Sequence, residues 1–156
     1  MIFWDVFTIG EVHALGGYTF TEEEVLRFAR AYDPQPFHVD AEAAKNSLLG
    51  GLCASGWQTA AVFMKLNVAY TRRLAEDFVA AGHPAPRTGP SPGIKELRWP
   101  RPVFAGDTVN YTLTITGKRA SASRPGWGLI EARTLGTNQH GEPVISFLSS
   151  WFAATN

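Results

Sequence analysis

Asp33 and His38 lie five positions apart and are the residues of this chain whose types and spacing could do chemistry together. Pro34 and Pro36 stand between them, and each proline fixes a backbone φ angle and removes an N–H donor. The stiffened segment would hold the carboxylate and the imidazole in a set relation, as general acid–base chemistry requires. Spacing alone equally allows an aspartate that ends a helix and a histidine that packs in a loop.

A second feature with chemical potential is the predicted start of a long helix at Ser55 and Gly56. The first turn of a helix presents unpaired N–H groups and a partial positive charge. A glycine there lets a ligand oxygen approach the backbone amide closely. Together with Asp33 and His38, such an amide would complete a set of groups for adding water to an activated carbonyl compound.

The elements that must position these residues can be predicted from helix start and stop signals. Thr21 and Glu24 form a capping box pattern, which predicts that a helix begins after Thr21. Pro34 disfavours helical geometry at Asp33, so this helix should end just before it. Asp40 is expected to cap a further, short helix that runs on towards residue 49.

Hydrophobic periodicity predicts the rest of the architecture. Apolar residues occupy nearly all sides of the helix predicted after Ser55, which favours burial on most of its circumference. Strands are predicted where apolar and polar residues alternate or apolar runs lie between turn signals. These strands fall within 12–20, 94–99, 108–117, 128–137 and 143–153. The expected fold is one mostly antiparallel sheet that curls round one long helix.

At residues 33–40, "DPQPFHVD", the sequence resembles the MaoC-like (R)-specific enoyl-CoA hydratases. Their motif is Asp-x-Asn-Pro-hydrophobic-His, followed two residues on by Asp or Glu, and it is matched at Asp33, Pro36, Phe37, His38 and Asp40. Gly56 holds the position of the family's oxyanion glycine. The stretches "RWPRPVFAGDTV" and "NQHGEPV" are similar to a strand start and the last hairpin of the family, so the resemblance covers roughly 18–152.

This resemblance implies an α+β fold, with a single hot dog domain over residues 1–156 in which a curved antiparallel sheet wraps a long central helix. It implies hydration of a 2-enoyl-CoA to an (R)-3-hydroxyacyl-CoA, or the reverse dehydration. Asp33 would act as base, His38 would orient the water and deliver a proton to C2, and the Gly56 amide would take the negative charge of the thioester oxygen.

Further expectations concern the substrate and the assembly. The residues expected beside the water and the acyl-CoA thioester are Gln35, Phe37, Ser55 and Trp57. Gln35 stands where the family usually has Asn, and Ser55 stands where many members have His. The resemblance implies a working unit that is at least a homodimer, and a reaction that needs no metal or redox cofactor.

The composition of the chain indicates which binding partners and which cellular compartment are expected. Fourteen basic side chains balance fourteen acidic ones, so no overall field favours nucleic acid or an anionic membrane surface. No apolar run approaches the roughly 20 residues that span a bilayer, and the start of the chain lacks a signal-peptide pattern. The single cysteine permits no intrachain disulfide and suits a reducing compartment, so a cytoplasmic protein is expected.

Several alternatives stay open on the sequence. A hot dog thioesterase would use a similar pocket but release free thiol, and a non-catalytic module would bind acyl-CoA and release nothing. A metal site at Asp33, His38 and Asp40 lacks a fourth residue at a ligand-like spacing. Cys53 lies near Gly56 and could be a nucleophile, although a small buried residue is the favoured interpretation.

Overall fold

Five β-strands and four α-helices make up the computed structural model, which describes residues 1–156. In chain order they are β1 (Val12–Thr19), α1 (Glu22–Tyr32), α2 (Pro36–Val39), α3 (Ala41–Lys45), α4 (Gly56–Ala80), β2 (Gly93–Arg98), β3 (Thr108–Ala120), β4 (Trp127–Thr137) and β5 (Pro143–Ala154). The strands form one antiparallel sheet in the order β1-β3-β4-β5-β2. This confirms the predicted combination of one antiparallel sheet and one long helix.

The core lies between the sheet and α4. The alternation predicted for β3 buries its apolar positions, namely Val109, Tyr111, Leu113 and Ile115. Val62 and Phe63 of α4 belong to the same buried cluster. The Tyr111 hydroxyl donates to the carbonyl oxygen of Thr59 at 2.9 Å, which fixes the first turns of α4 on the sheet.

The prediction that α4 is buried on most of its circumference is wrong for this chain. Its buried residues are Gln58, Thr59, Val62, Phe63 and Phe78. Trp57, Met64 and Val68 are exposed, because a single sheet covers only one side of a helix. The other side of α4 therefore presents apolar side chains to the surface.

The predicted caps of the short helices are confirmed. Thr21 caps α1, and its hydroxyl oxygen accepts a hydrogen bond from the Glu24 amide at 3.3 Å. Asp33 is the C-cap of α1, as the following proline predicted. Asp40 caps α3, which is shorter than expected and ends at Lys45. None of the helices combines the length and apolar character needed to cross a membrane.

Candidate active site

The turn between Asp33 and His38 is a one-turn helix, α2, that the sequence analysis did not predict. Pro36 is its first residue, a position where proline is well tolerated because that N–H has no helical partner. α2 turns the imidazole back towards the end of α1, and His38 Nε2 lies 3.4 Å from Asp33 Oδ2. Both side chains are largely buried, with exposed fractions of 8% and 16%.

The imidazole of His38 is oriented by the main chain. Its Nδ1 lies 2.7 Å from the carbonyl oxygen of Cys53. A carbonyl oxygen can only accept, so Nδ1 carries the hydrogen and donates it. In the neutral imidazole, Nε2 is then an acceptor that faces the Asp33 carboxylate. Two acceptors at this separation can share one water molecule that donates a hydrogen bond to each.

The charge of Asp33 is set by opposing effects. Burial raises the pKa of this carboxyl group, but a hydrogen bond from Gln35, an interaction with the Ser55 hydroxyl and the His38 imidazole together hold the pKa below its usual value. The Gln35 amide donates to Asp33 Oδ1 at 2.7 Å. Asp33 is therefore a carboxylate at neutral pH, with Oδ2 directed to His38.

At the start of α4, Ser55 accepts several hydrogen bonds, whereas the N–H of Gly56 makes none. Ser55 is fully buried and caps the helix, and its hydroxyl oxygen accepts from the Trp57 amide at 3.2 Å. Its carbonyl oxygen accepts from the amides of Gln58 and Thr59. The Gly56 N–H has no partner within the chain and is the free donor of this helix start.

The side-chain space of Gly56 is occupied by an aromatic ring. A Cβ atom on Gly56 would lie 2.5 Å from Cε2 of Trp99, so the glycine is needed for the indole to pack across the start of α4. The expectation that a ligand oxygen enters the space beside Gly56 is wrong on the side where a Cβ would lie, because the Trp99 indole fills it. A ligand must reach the Gly56 amide along the direction of its N–H.

One cavity of about 750 Å³ joins these groups. Six of the seven residues expected at the site line this cavity, and Ser55 does not: Asp33, Gln35, Phe37, His38, Gly56 and Trp57. Trp57 packs edge-on against Trp99, with ring centroids 5.2 Å apart. Both indoles are partly exposed and line the cavity.

Trp99 and Arg101 are among the lining residues of this cavity that sequence reasoning missed. They lie far along the chain from the motif that contains Asp33. The "WPRP" segment that contains them begins at the end of the strand predicted for 94–99, and sequence reasoning assigned neither residue a role at the site. Two prolines beside a cation and an aromatic residue were the available indication that this segment is held at a fixed position.

Comparison with known protein families identifies the family of this chain. The model of the MaoC like domain matches residues 8–126, about three quarters of the sequence. The chain belongs to the MaoC-like domain family. The Asp33–His38 motif and Gly56 both fall within the matched part.

Solved structures of MaoC-like proteins share the fold. The chain is similar over its whole length to the MaoC-like dehydratase from Rhodospirillum rubrum, with 31% identity, 100% and 99% of the two chains covered and a TM-score of 0.79. The R-hydratase PhaJ1 from Pseudomonas aeruginosa is 23% identical, with 98% and 86% of the two chains covered and a TM-score of 0.65. These similarities confirm the predicted hot dog fold.

Curated relatives are matched over shorter segments. The chain is 39% identical over 56 residues to the mesaconyl-CoA hydratase of Cereibacter sphaeroides, which covers 36% of this chain and 16% of that protein. The matches cover less than half the length of the curated relatives, 44% at most. Hydratases and dehydratases are thus found among the relatives of this MaoC-like chain.

The geometry of the site is relevant to two of the alternatives, a nucleophilic Cys53 and a metal site that includes Asp40. The Cys53 thiol is buried, and burial, with the negative charge of Asp33, raises its pKa to about 11. A protonated, inaccessible thiol is a poor nucleophile, in agreement with the favoured interpretation. The Asp40 carboxylate accepts from the amides of Glu42 and Ala43, and so serves the start of α3.

Proposed function

We propose that this MaoC-like chain catalyses the reversible addition of water to a 2-enoyl thioester of coenzyme A, giving an (R)-3-hydroxyacyl-CoA. One observation carries the proposal. Asp33 and His38 present two proton acceptors 3.4 Å apart in the cavity that the Gly56 amide also lines. This arrangement suits a bound water molecule next to a thioester carbonyl.

The proposed reaction gives Asp33, His38 and the Gly56 amide one role each. A water molecule between Asp33 Oδ2 and His38 Nε2 bonds through its oxygen to C3 while Asp33 accepts one of its protons. The electron pair of the C2–C3 double bond moves to the thioester oxygen, where the Gly56 N–H stabilises the negative charge. The proton passes from Asp33 to His38 Nε2 and on to C2, so that the pair ends in its starting state.

The remaining features of the proposal follow from this chemistry and from the family motif. Hydration changes no net oxidation state, so we propose no redox cofactor, and the carbonyl is polarised by an amide, so we propose no metal. The (R) configuration is taken from the family that the motif resembles. We also propose a homodimer as the smallest working unit.

The test is a panel of trans-2-enoyl-CoA substrates of increasing chain length, followed by both enone absorbance and free thiol. Loss of enone absorbance without thiol release is the expected result. Thiol release would indicate a thioesterase instead. Binding with neither change would indicate an acyl-CoA-binding module.

Variants of the pair make the test specific. Asp33→Asn and His38→Ala should each lower turnover by about 10²–10⁴-fold, which is what one positioned acid or base contributes. The double variant should lose little more, because both groups act on one water molecule. Asp40→Asn is the matched control, since it changes an aspartate seven positions away that lies outside the cavity lining. Near-normal turnover in either single variant would remove the pair from the mechanism.

A further inference from the structure

Arg101 is the one lysine or arginine among the residues that line the reaction cavity. The mechanism proposed above gives it no role. The cavity also contains the Asp33 carboxylate and the His38 imidazole, and the rest of its lining is neutral. A single cation in such a wall selects for a substrate that carries a negative group of its own.

The backbone holds Arg101 in place while its donors stay free. Pro100 and Pro102 flank it and fix the φ angles on both sides. Its nearest anion is Glu142, at 3.7 Å from Nη1, with the arginine side chain 56% exposed. An exposed pair of this length is weak. The guanidinium makes no hydrogen bond within the chain, so its five N–H donors are available to a ligand.

Glu142, the acid nearest to the guanidinium, is itself tied to Asn138 rather than to Arg101. Its carboxylate accepts from the Asn138 side-chain amide at 2.9 Å, and its backbone N–H donates to the same side chain at 3.0 Å. The hydrogen bond from Asn138 and the charge of Arg101 lower the pKa of Glu142. The acid is therefore ionised at neutral pH and stands 3.7 Å from the guanidinium as a weak partner that a ligand anion can replace.

We propose that Arg101 binds an anionic oxygen group of the thioester substrate. A guanidinium presents paired N–H donors that match both carboxylate and phosphate oxygens. The group can thus be a carboxylate at the end of the acyl chain or a phosphate of the coenzyme A carrier. This inference rests on the proposed function, because it takes the cavity to be the thioester site.

Four saturated thioesters separate the two sources. Butyryl-CoA, succinyl-CoA and the butyryl and succinyl thioesters of N-acetylcysteamine vary the carboxylate and the phosphates independently. Their affinities for the full chain and for Arg101→Gln can be measured by calorimetry. Saturated thioesters cannot be hydrated, so their binding tests Arg101 whether or not enoyl thioesters are turned over.

Loss of one charge-assisted contact should weaken binding by about 10- to 100-fold. Weakening confined to the two succinyl compounds identifies an acyl carboxylate, and weakening confined to the two CoA compounds identifies a phosphate. Weakening of every compound except the butyryl thioester of N-acetylcysteamine identifies both. In each of these cases Arg101→Lys should restore part of the affinity.

The matched control is Arg119→Gln, which removes an arginine that is also paired with a glutamate, at 3.4 Å, but lies outside this cavity. It should leave all four affinities unchanged. The inference is overturned if Arg101→Gln changes no affinity by more than about twofold, if it weakens the uncharged thioester as much as the charged ones, or if the unchanged chain binds none of the four.

Discussion

At the scale of single residues, one main-chain group and one side chain orient the candidate Asp33–His38 dyad. The Cys53 carbonyl oxygen accepts a hydrogen bond from His38 Nδ1, and the Gln35 side-chain amide donates one to Asp33 Oδ1. Each partner is thereby left with one free acceptor, and the two acceptors face each other. In a pair where the carboxylate itself accepted the imidazole N–H, the two free acceptors would not face each other across one water molecule.

Gln35→Ala tests this division of roles through the pH dependence of activity. Burial raises the pKa of Asp33, and the Gln35 hydrogen bond is the first of the interactions that lower it. Removal of that bond raises the pKa, so Asp33 becomes protonated at a higher pH than before. The acidic limb of the kcat/KM profile should therefore move to higher pH. At pH values well above this limb, kcat/KM should change less.

Gln139→Ala is the matched control for that experiment. The Gln139 amide donates to Asp107 Oδ1 at 2.7 Å, which is the same kind of bond at the same length outside the cavity. Its removal should leave the pH profile in place. An acidic limb that does not move in Gln35→Ala would mean that the ionisation of Asp33 does not control activity.

Cys53 gives a second test at this scale. With a pKa of about 11, only about one thiol in a thousand is ionised at pH 8, and the side chain is almost fully buried. The native protein should react slowly with Ellman's reagent, and one thiol per chain should become reactive in denaturant. Cys53→Ser should keep hydratase activity. Rapid labelling of the native chain, with loss of activity, would return Cys53 to the mechanism.

The sequence could predict the proximity of Asp33 and His38 because both lie in one local segment stiffened by prolines. It could not predict Trp99 against Gly56, because that contact depends on how a segment far along the chain folds back over the start of α4. Arg101 was missed for the same reason. Local geometry can be predicted from neighbouring residues, whereas a cavity wall depends on tertiary packing.

At the scale of elements, substitution of Asp40 tests whether this residue has a structural role or a catalytic one. Its carboxylate caps α3 by accepting from the amides of Glu42 and Ala43. Asp40→Ala should lower the free energy of unfolding by about 1 kcal/mol, measured by urea denaturation. Activity should persist, and Asp40→Ser should recover most of the stability. A stable but inactive Asp40→Ala protein would place this residue in the site.

The start of α4 offers a second test at the element scale. Gly56→Ala brings a Cβ to 2.5 Å from the Trp99 ring and should destabilise the fold by about 1–3 kcal/mol, although alanine is the better helix former. In a Trp99→Ala background the same substitution should be neutral or stabilising. Gly51→Ala is the control, because its Cβ would lie at 3.4 Å from Phe104. Equal costs of Gly56→Ala in the two backgrounds would show that the indole is not the obstacle.

Periodicity and capping patterns could predict most of the elements. The alternation in β3 and the Thr21 and Asp40 caps are local features whose physics is decided by a few neighbouring residues. The one-turn helix α2 was missed because four residues carry no period. The burial of α4 was overestimated because apolar residues on nearly all sides of a helix do not indicate how much of it the sheet of the same chain covers.

At the scale of the whole molecule, the uncovered side of α4 supports the proposed homodimer. Trp57, Met64 and Val68 are each about half exposed on this helix, and Ile94 is equally exposed on β2, an edge strand of the sheet. Exposed apolar patches with a free strand edge mark surfaces that associate. A second copy of the chain would cover both features at once.

We expect the protein to sediment as a dimer at micromolar concentration. Met64→Glu should shift it towards monomer, because an isolated charge in an apolar interface loses its hydration without gaining a partner. Ile9→Glu is the matched control, since Ile9 is an exposed apolar residue before β1 and outside α4. Circular dichroism should show that both variants stay folded, as each changes an exposed position. A monomeric unchanged protein, or a dimer that Met64→Glu leaves intact, would contradict association through this side of α4.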